Sequence, residues 1–302
     1  MPRHIIYIIN PISGTRTKKD LQSFIEQKTK EQGIPFLIFP SIAGGDYSFL
    51  QAVIKERGTT DIVIAGGDGT VSQVVSSLMN WDINFGIIPC GSGNGLAYTA
   101  KIPAQPAKAL DIIFKGNALA IDGFYINDRF SCMLCGLGFD AKVAHDFAKQ
   151  SKRGLATYVK QVIRNFFAAK PYSFELQVPG NSFTTDAYFI SIANSNQFGN
   201  NFTIAPQASL SDGLLDIVIV TDQKKLSLLF QVFKQVRGLN PVTRKEHYNP
   251  AANKKGVIYL QTDQVVIINK SLAPLHIDGD PAETADRFRV TIKKKCFRLL
   301  QP

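Results

Sequence analysis

The sequence predicts an α/β half followed by an antiparallel β half. Up to about Asp122, short β-branched runs alternate with helix-like stretches, the pattern of a parallel sheet covered on both faces. Beyond that point period-2 strands separated by turn residues take over. The length of 302 residues agrees with two domains at roughly 150 residues each.

In the first half, Ile5–Ile9 reads as a strand, Lys18–Lys30 as a helix and Phe36–Phe39 as a second apolar run. Asp61–Ala65 is a strand, Val71–Met79 a helix, Phe85–Ile88 a strand, and a further helix runs from Leu96 onward. In the second half the strands are Phe124–Ile126, Phe130–Cys135, Ser173–Val178, Ala187–Ala193, Leu215–Val220, Val257–Gln261, Val265–Asn269 and Phe288–Lys293. Pro179-Gly180-Asn181 and Ser211-Asp212-Gly213 are turn signals. Two helices are inserted, one over about Leu155–Phe167 and one over Leu226–Leu239, the latter ended by Gly238 and Asn240-Pro241.

Composition narrows the function. With 45% hydrophobic and 19% charged residues the chain has the makings of a core, which excludes a disordered protein. No run approaches the roughly 20 apolar residues of a membrane span. Met1-Pro2-Arg3-His4 leads straight into the first strand with no signal-peptide pattern, so a cytoplasmic protein is expected. Cys132-x-x-Cys135 is half of a zinc site with no second pair, and is read as two buried thiols in the strand Phe130–Cys135. A net charge of +10 favours an anionic partner. The basic residues are scattered and carry no recognition motif, so nucleic acid is not expected.

Three strand–loop–helix junctions share one design. Ile5–Ile9 runs into Asn10-Pro11-Ile12-Ser13-Gly14, Asp61–Ala65 into Gly66-Gly67-Asp68-Gly69-Thr70, and Phe85–Ile88 into Pro89-Cys90-Gly91-Ser92-Gly93-Asn94-Gly95. In a parallel sheet such loops leave the carboxyl ends of the strands, where ligands bind. Glycine lets a ligand approach the main chain, and the helix starts offer amides and a positive dipole end. The design is that of a polyphosphate cradle. Asp68 would repel bare phosphate, so it belongs either to a metal network or to a brace that holds backbone donors in place. GxxxxGK[ST] is absent, and Gly136-x-Gly138-x-x-Ala141 lies in the β half without the acid a dinucleotide site needs.

Asn10-Pro11-x-Ser13-Gly14, Gly66–Thr70, Gly91–Ala97 and Asp278-Gly279-Asp280-Pro281 together resemble the diacylglycerol kinase catalytic-domain family, which includes bacterial soluble lipid kinases and sphingosine kinases. The likeness continues through Gly136-x-Gly138-x-Asp140-Ala141 and Pro206-x-Ala208 followed by Asp212-Gly213-x-Leu215. It implies a doubly wound N-terminal nucleotide-binding domain like that of phosphofructokinase and NAD kinase over 1–122. A lipid-binding antiparallel β-sandwich with inserted helices would occupy 123–290, with 291–302 a candidate for returning to the N-terminal domain.

Carried over by motif, Asn10, Ser13, Gly14, Ser41, Gly66, Gly67, Asp68, Gly69, Thr70, Val71, Ser72, Gly91, Ser92, Gly93 and Asn94 fall where the family binds ATP. Ser209, Asp212 and Leu214 match a Mg2+ site, the first and last through carbonyls. The family's general base lies in Asp-Gly-Glu-Pro. Here the glutamate position is Asp280, so the base is Asp280 or Asp278, with Asp68 also placed among the catalytic residues. Asp140 matches an acid that recognises the lipid head group in sphingosine kinases, or is a structural aspartate. Lys152 and Arg153 are candidates to steady the triphosphate, and His276 reads as a strand residue rather than a base.

The activity implied is ATP- and Mg2+-dependent phosphorylation of a lipid hydroxyl at a membrane surface. The alcohol is that of a diacylglycerol, a sphingoid base or a related lipid, and Gly95, where diacylglycerol kinases usually carry Asp, leans toward the sphingoid side. The basic face of Leu226–Leu239, with Lys224, Lys225, Lys234 and Arg237, fits an interfacial helix or a core-covering one. An NAD or sugar-phosphate kinase and a non-catalytic lipid- or nucleotide-binding regulator are the alternatives.

Overall fold

A computed structural model of the chain describes residues 2–11, 18–148, 169–199, 202–221 and 256–302. Ser13, Gly14, Lys152, Arg153 and the two inserted helices expected over 155–167 and 226–239 lie outside the described residues. The chain divides into two compact units, Met1–Asp122 with Lys294–Pro302, and Gly123–Lys293.

The first unit is an α/β fold. Its strands are β1 (Ile5–Ile9), β2 (Phe36–Pro40), β3 (Asp61–Gly66), β4 (Asn84–Pro89) and the end of β17 (Arg287–Leu300), in the order β17-β4-β3-β1-β2. All these pairings are parallel. Every residue of β1 and β3 is buried, as an apolar run covered on both faces must be. The helices are α1 (Lys18–Glu31), α2 (Leu50–Arg57), α3 (Asp68–Leu78), α4 (Gly95–Thr99) and α5 (Pro106–Lys115). The sequence reading lacks α2 and α5. Each stops at a left-handed glycine, Gly58 at φ 59° and Gly116 at φ 71°, and α5 starts on a proline. The α3 helix starts at Asp68 rather than Val71, so the glycine junction is itself the first helical turn. The chain end is held within this unit by Lys295 N–H donating to Asp122 (2.6 Å) and Gln301 N–H donating to Asn117 O (2.8 Å).

The second unit is an antiparallel β-sandwich. Its strands are the end of β5 (Ala118–Ile126), β6 (Arg129–Ser131), β7 (Leu134–Gly138), β8 (Tyr172–Val178), β9 (Asn181–Ala193), β10 (Gln197–Gly199), β11 (Phe202–Thr203), β12 (Leu215–Thr221), β13 (Val257–Thr262), β14 (Gln264–Ile268), β15 (Leu275–Ile277), β16 (Asp280–Ala282) and the start of β17, with helix α6 (Phe139–Ala148) after β7. The long strand β9 serves both layers: its start pairs with β8, and its end lies between β7 and β12. Phe124, Leu137, Phe174, Leu176, Ile190, Ile217 and Ile267 belong to the enclosed apolar core.

The strand expected over Phe130–Cys135 is two strands, broken at Cys132–Met133. Here side chains replace the ladder: Met133 N–H donates to Ser131 Oγ (3.2 Å) and Leu134 N–H to Asp278 Oδ1 (3.2 Å). Both thiols are buried, as expected.

Candidate functional site

A single residue, Gly67, separates β3 from α3. It is extended (φ −100°, ψ −179°) and, as a glycine, supplies no capping side chain of its own. The first amides of α3 therefore sit at the positive end of a helix dipole with no side chain from the cap residue over them.

The neighbouring junction after β4 is locked to this one. Cys90 N–H donates to Gly66 O (2.9 Å). Gly91 lies so close to Gly67 that a Cβ on Gly91 would stand 2.6 Å from Gly67 Cα. Asn94, left-handed at φ 57°, accepts from Gly91 N–H and donates to Gly91 O, both at 2.8 Å, which closes the loop on itself. Asp68 then bridges the junctions. Its Oδ2 accepts from Gly95 N–H (3.0 Å) and its Oδ1 from Leu96 N–H (3.1 Å), so the first residue of α3 caps α4. Burial pushes the Asp68 carboxyl above its ordinary value, and the amides of Gly95 and Leu96 draw it back down. This geometry is that of a brace on the backbone. Gly95, too, is in use here as the amide donor to Asp68.

Asn10 and Ser41 follow β1 and β2 on the same sheet edge. Asn10 Nδ2 donates to Thr70 Oγ1 (2.9 Å), and Ser41 N–H donates to Ile9 O (2.9 Å). Thr70, Val71 and Ser72 are buried, Gly69 and Gly93 are half-buried, and Ser92 is exposed. The four parallel strands thus bring Asn10, Ser41, Gly66–Ser72 and Gly91–Asn94 to their carboxyl ends, the ligand-binding edge of such a sheet.

A second cluster lies in the β-sandwich unit, around the hairpin β15–β16. Ile277 pairs with Asp280, so Asp278-Gly279 is a two-residue turn, with φ 54° and 85° at its two positions. Asp278 is buried. Its Oδ1 accepts from Ser131 Oγ (2.6 Å) and Leu134 N–H, and its own N–H donates to Leu134 O (2.9 Å). Asp280 is exposed. The two acids of the motif are therefore different in kind: one fastens the turn, and the other is presented by it.

Behind the turn, His276 is 1% exposed and its Nε2 lies 3.3 Å from Asp140 Oδ2. Asp140 Oδ1 accepts from Ala141 N–H (2.8 Å) at the start of α6. Cys135 lies beneath, its thiol pushed well up by burial and then by the charges of Asp278 and Asp140. Ser131 and Gly136 complete the cluster; in the sequence Gly136 stands out only as a motif glycine, and Ser131 is not singled out. Gly136 had a signal, its place in the Gly136-x-Gly138 pattern. Ser131 had none, because its partner Asp278 is remote in sequence.

The loop carrying Ser209, Asp212 and Leu214 is in the same unit. Asp212, exposed, accepts from Leu214 N–H (3.1 Å), and Ser209 Oγ accepts from Ser211 N–H (3.4 Å). The strand that follows is anchored by Asp216, buried, which accepts from Tyr259 OH and from Gln261 Nε2 (2.9 Å). Among the described residues no three His, Cys, Asp or Glu side chains gather as a metal cluster. The Asp212 carboxylate and the Ser209 and Leu214 carbonyls, the ligands the resemblance implies, would make an all-oxygen donor set, which suits a hydrated Mg2+.

Comparison with known proteins agrees with this division. A family model for the diacylglycerol kinase catalytic domain matches residues 4–126, and one for the YegS C-terminal NAD kinase beta sandwich-like domain matches 134–293. A Bacillus subtilis protein named "Diacylglycerol kinase" is 26% identical over 93% of this chain and 93% of its own. A Chromohalobacter salexigens protein named "Probable lipid kinase YegS-like" is 25% identical over 91% of this chain and 86% of its own. The fold is similar to that of a solved diacylglycerol kinase of Bacillus anthracis, with a TM-score of 0.71 over 99% of this chain and 97% of that one at 16% identity.

Proposed function

This chain belongs to the diacylglycerol kinase catalytic-domain family and is a lipid kinase, a phosphotransferase, and from that premise we propose that it transfers the γ-phosphoryl group of ATP to the hydroxyl of a diacylglycerol. The observation that carries the nucleotide half is the Asp68 brace. It locks two glycine turns together beside the start of α3, whose cap residue Gly67 has no side chain to place over the first amides. Phosphoryl transfer is mostly positioning and charge neutralisation, and preset amides serve both. Asn10, Ser41, Gly66–Ser72 and Gly91–Asn94 would line the nucleotide site. Main-chain groups would do most of the binding there, since the side chains of Thr70, Val71 and Ser72 are buried.

Asp280 is the general base in this reading. It takes the proton of the acceptor hydroxyl as that oxygen bonds to the γ-phosphorus and the bond to the ADP oxygen breaks. Asp278 is buried and fastened to Ser131 and Leu134, which supports Asp280 over it. Ser209 and Leu214, through their carbonyls, and Asp212 would hold Mg2+, which when bound supplies positive charge to that loop.

The acceptor is an uncharged glycerolipid rather than a sphingoid amine. Asp140, the acid that would meet an amine, has Oδ1 on the Ala141 amide and Oδ2 beside His276. Among the described residues no helix is long and apolar enough to cross a membrane, so the lipid would be met at a surface. The test is an assay with γ-labelled ATP against dispersed diacylglycerol, sphingosine, ceramide and monoacylglycerol, with Mg2+ or with chelator. Label in phosphatidic acid that disappears with chelator is expected. Preferential labelling of sphingosine would overturn the acceptor, and transfer undiminished by chelator would overturn the metal.

A further inference from the structure

We infer that His276 is a positioning residue: it holds the turn that presents Asp280, and Asp140 selects the imidazole tautomer that lets it do so. This rests on Asp280 being the general base. His276 lies in β15 between Gly136 of β7 and Pro281 of β16. Its Nδ1 is 3.3 Å from the main-chain N–H of Gly279, in the turn itself. An amide can only donate, so Nδ1 must carry the lone pair and the ring proton must be on Nε2. Nε2 faces Asp140 Oδ2 at 3.3 Å, an acceptor for that proton. The two contacts require one and the same tautomer, and a carboxylate behind a histidine is the usual means of setting it.

The backbone is shaped around this pair. A Cβ on Gly136 would stand 2.0 Å from Asp140 Oδ2 and 2.6 Å from His276 Nε2, so any side chain at 136 would occupy the space where they meet. Four hydrogen bonds tie the turn down. Asp278 secures its first residue by side chain and by main chain, and His276 secures Gly279, the residue directly before Asp280. Gly279 is at φ 85°, a conformation glycine enters readily and also leaves readily, so an amide tie there limits the swing of the exposed Asp280. The imidazole meets the carboxylate of Asp140 of α6, whose charge, with that of Asp278 of the turn, also acts on Cys135 of β7.

Two amide replacements separate this role from ordinary packing. Asparagine can place an acceptor where Nδ1 was, and glutamine can place a donor where Nε2 was. If His276 acts through Gly279, His276→Ala lowers kcat about 10- to 100-fold, the scale of misplacing a catalytic group by about 1 Å, while both KM values stay within about twofold. His276→Asn then recovers most of the lost turnover and His276→Gln does not. If His276 merely pairs with Asp140, glutamine rescues and asparagine fails, which overturns the inference.

Nitrogen chemical shifts of the imidazole in the wild-type protein give a second measurement free of any folding defect. They should report a proton on Nε2, and a proton on Nδ1 overturns the inference. Asp280→Asn, assayed in parallel, keeps the two readings apart. Full turnover in that variant removes Asp280 as the base, whereas a dead Asp280→Asn beside a fully active His276→Ala removes the role of His276 alone.

Discussion

The carboxylate of Asp68 accepts the main-chain N–H of Gly95 at 3.0 Å, so a residue in the first turn of one helix caps the next helix on the same sheet edge. This side chain adds to the main-chain bond from Cys90 N–H to Gly66 O in joining the two loops. The acid in the glycine-rich pentapeptide is thereby explained without placing it on a phosphate.

Asp68→Ala should lower kcat/KM for ATP about 10- to 100-fold, the cost of loosening a preset site, and Asp68→Asn should lose less because it keeps one acceptor. A pH dependence follows from the raised carboxyl value. The folded state holds this proton more tightly than the unfolded state does. The associated stabilisation is therefore present below the ordinary aspartate range and is lost as pH rises through the folded value. The Tm of Asp68→Asn should move upward relative to wild type as pH rises from the ordinary aspartate range through the raised folded value. A difference that is flat or moves the other way would show that the carboxyl is not held in a desolvated site.

Gly91→Ala tests the contact between the two turns. Its Cβ would stand 2.6 Å from Gly67 Cα, a main-chain atom with no rotamer to escape through, so the turns must separate. A cost of about 1–3 kcal/mol is expected, together with a raised KM for ATP and an unchanged KM for lipid. Gly44→Ala is the control: nothing lies within 4 Å of its added carbon, and Tm and KM should both stay at the wild-type level.

The motif's two acids should separate by phenotype. Asp280→Asn removes an exposed carboxylate, so kcat should fall by about 10²–10⁴ with Tm unchanged. Asp278→Ala removes a buried acceptor serving Ser131 Oγ and Leu134 N–H, and should cost about 1–3 kcal/mol of stability in denaturant melts. An Asp278→Ala protein as stable as wild type but without turnover would reverse the two roles.

The contrast between Asp278 and Asp280 also marks where the sequence stops being informative. Glycine spacing and β-branched runs reveal the α/β half, because strand, turn and helix start are local in the chain there. Val71 as a helix start errs only because Gly67 is itself the cap. The pairing of Ser131 with Asp278 spans 147 positions and leaves no local pattern, so neither the break at Cys132–Met133 nor the burial of Asp278 was legible. His276 reads as an ordinary strand residue for the same reason: its partners Asp140 and Gly279 come from a remote helix and from a turn. The α2 and α5 helices were different. Gly58, Pro106 and Gly116 are local signals that a reading by hydrophobic period passes over.

Thiol chemistry gives a test that needs no variant. Cys132 and Cys135 are 1% and 0% exposed, and burial followed by the charges of Asp278 and Asp140 holds the Cys135 thiol well above its ordinary value. Both lack access and Cys135 also lacks thiolate, so neither should react in the native protein. Cys90 and Cys296 are half-buried and should account for the titre of a native sample with a chromogenic disulfide, and all four cysteines should react after denaturation. Cys90 is also a reporter on the edge proposed to bind nucleotide, since it directly precedes Gly91 and its amide is bonded to Gly66 O. ATP should slow its modification, read by mass spectrometry of the labelled peptide, and leave Cys296 unaffected. Equal rates at Cys90 with and without saturating ATP would take the turn at 90–94 out of the nucleotide site.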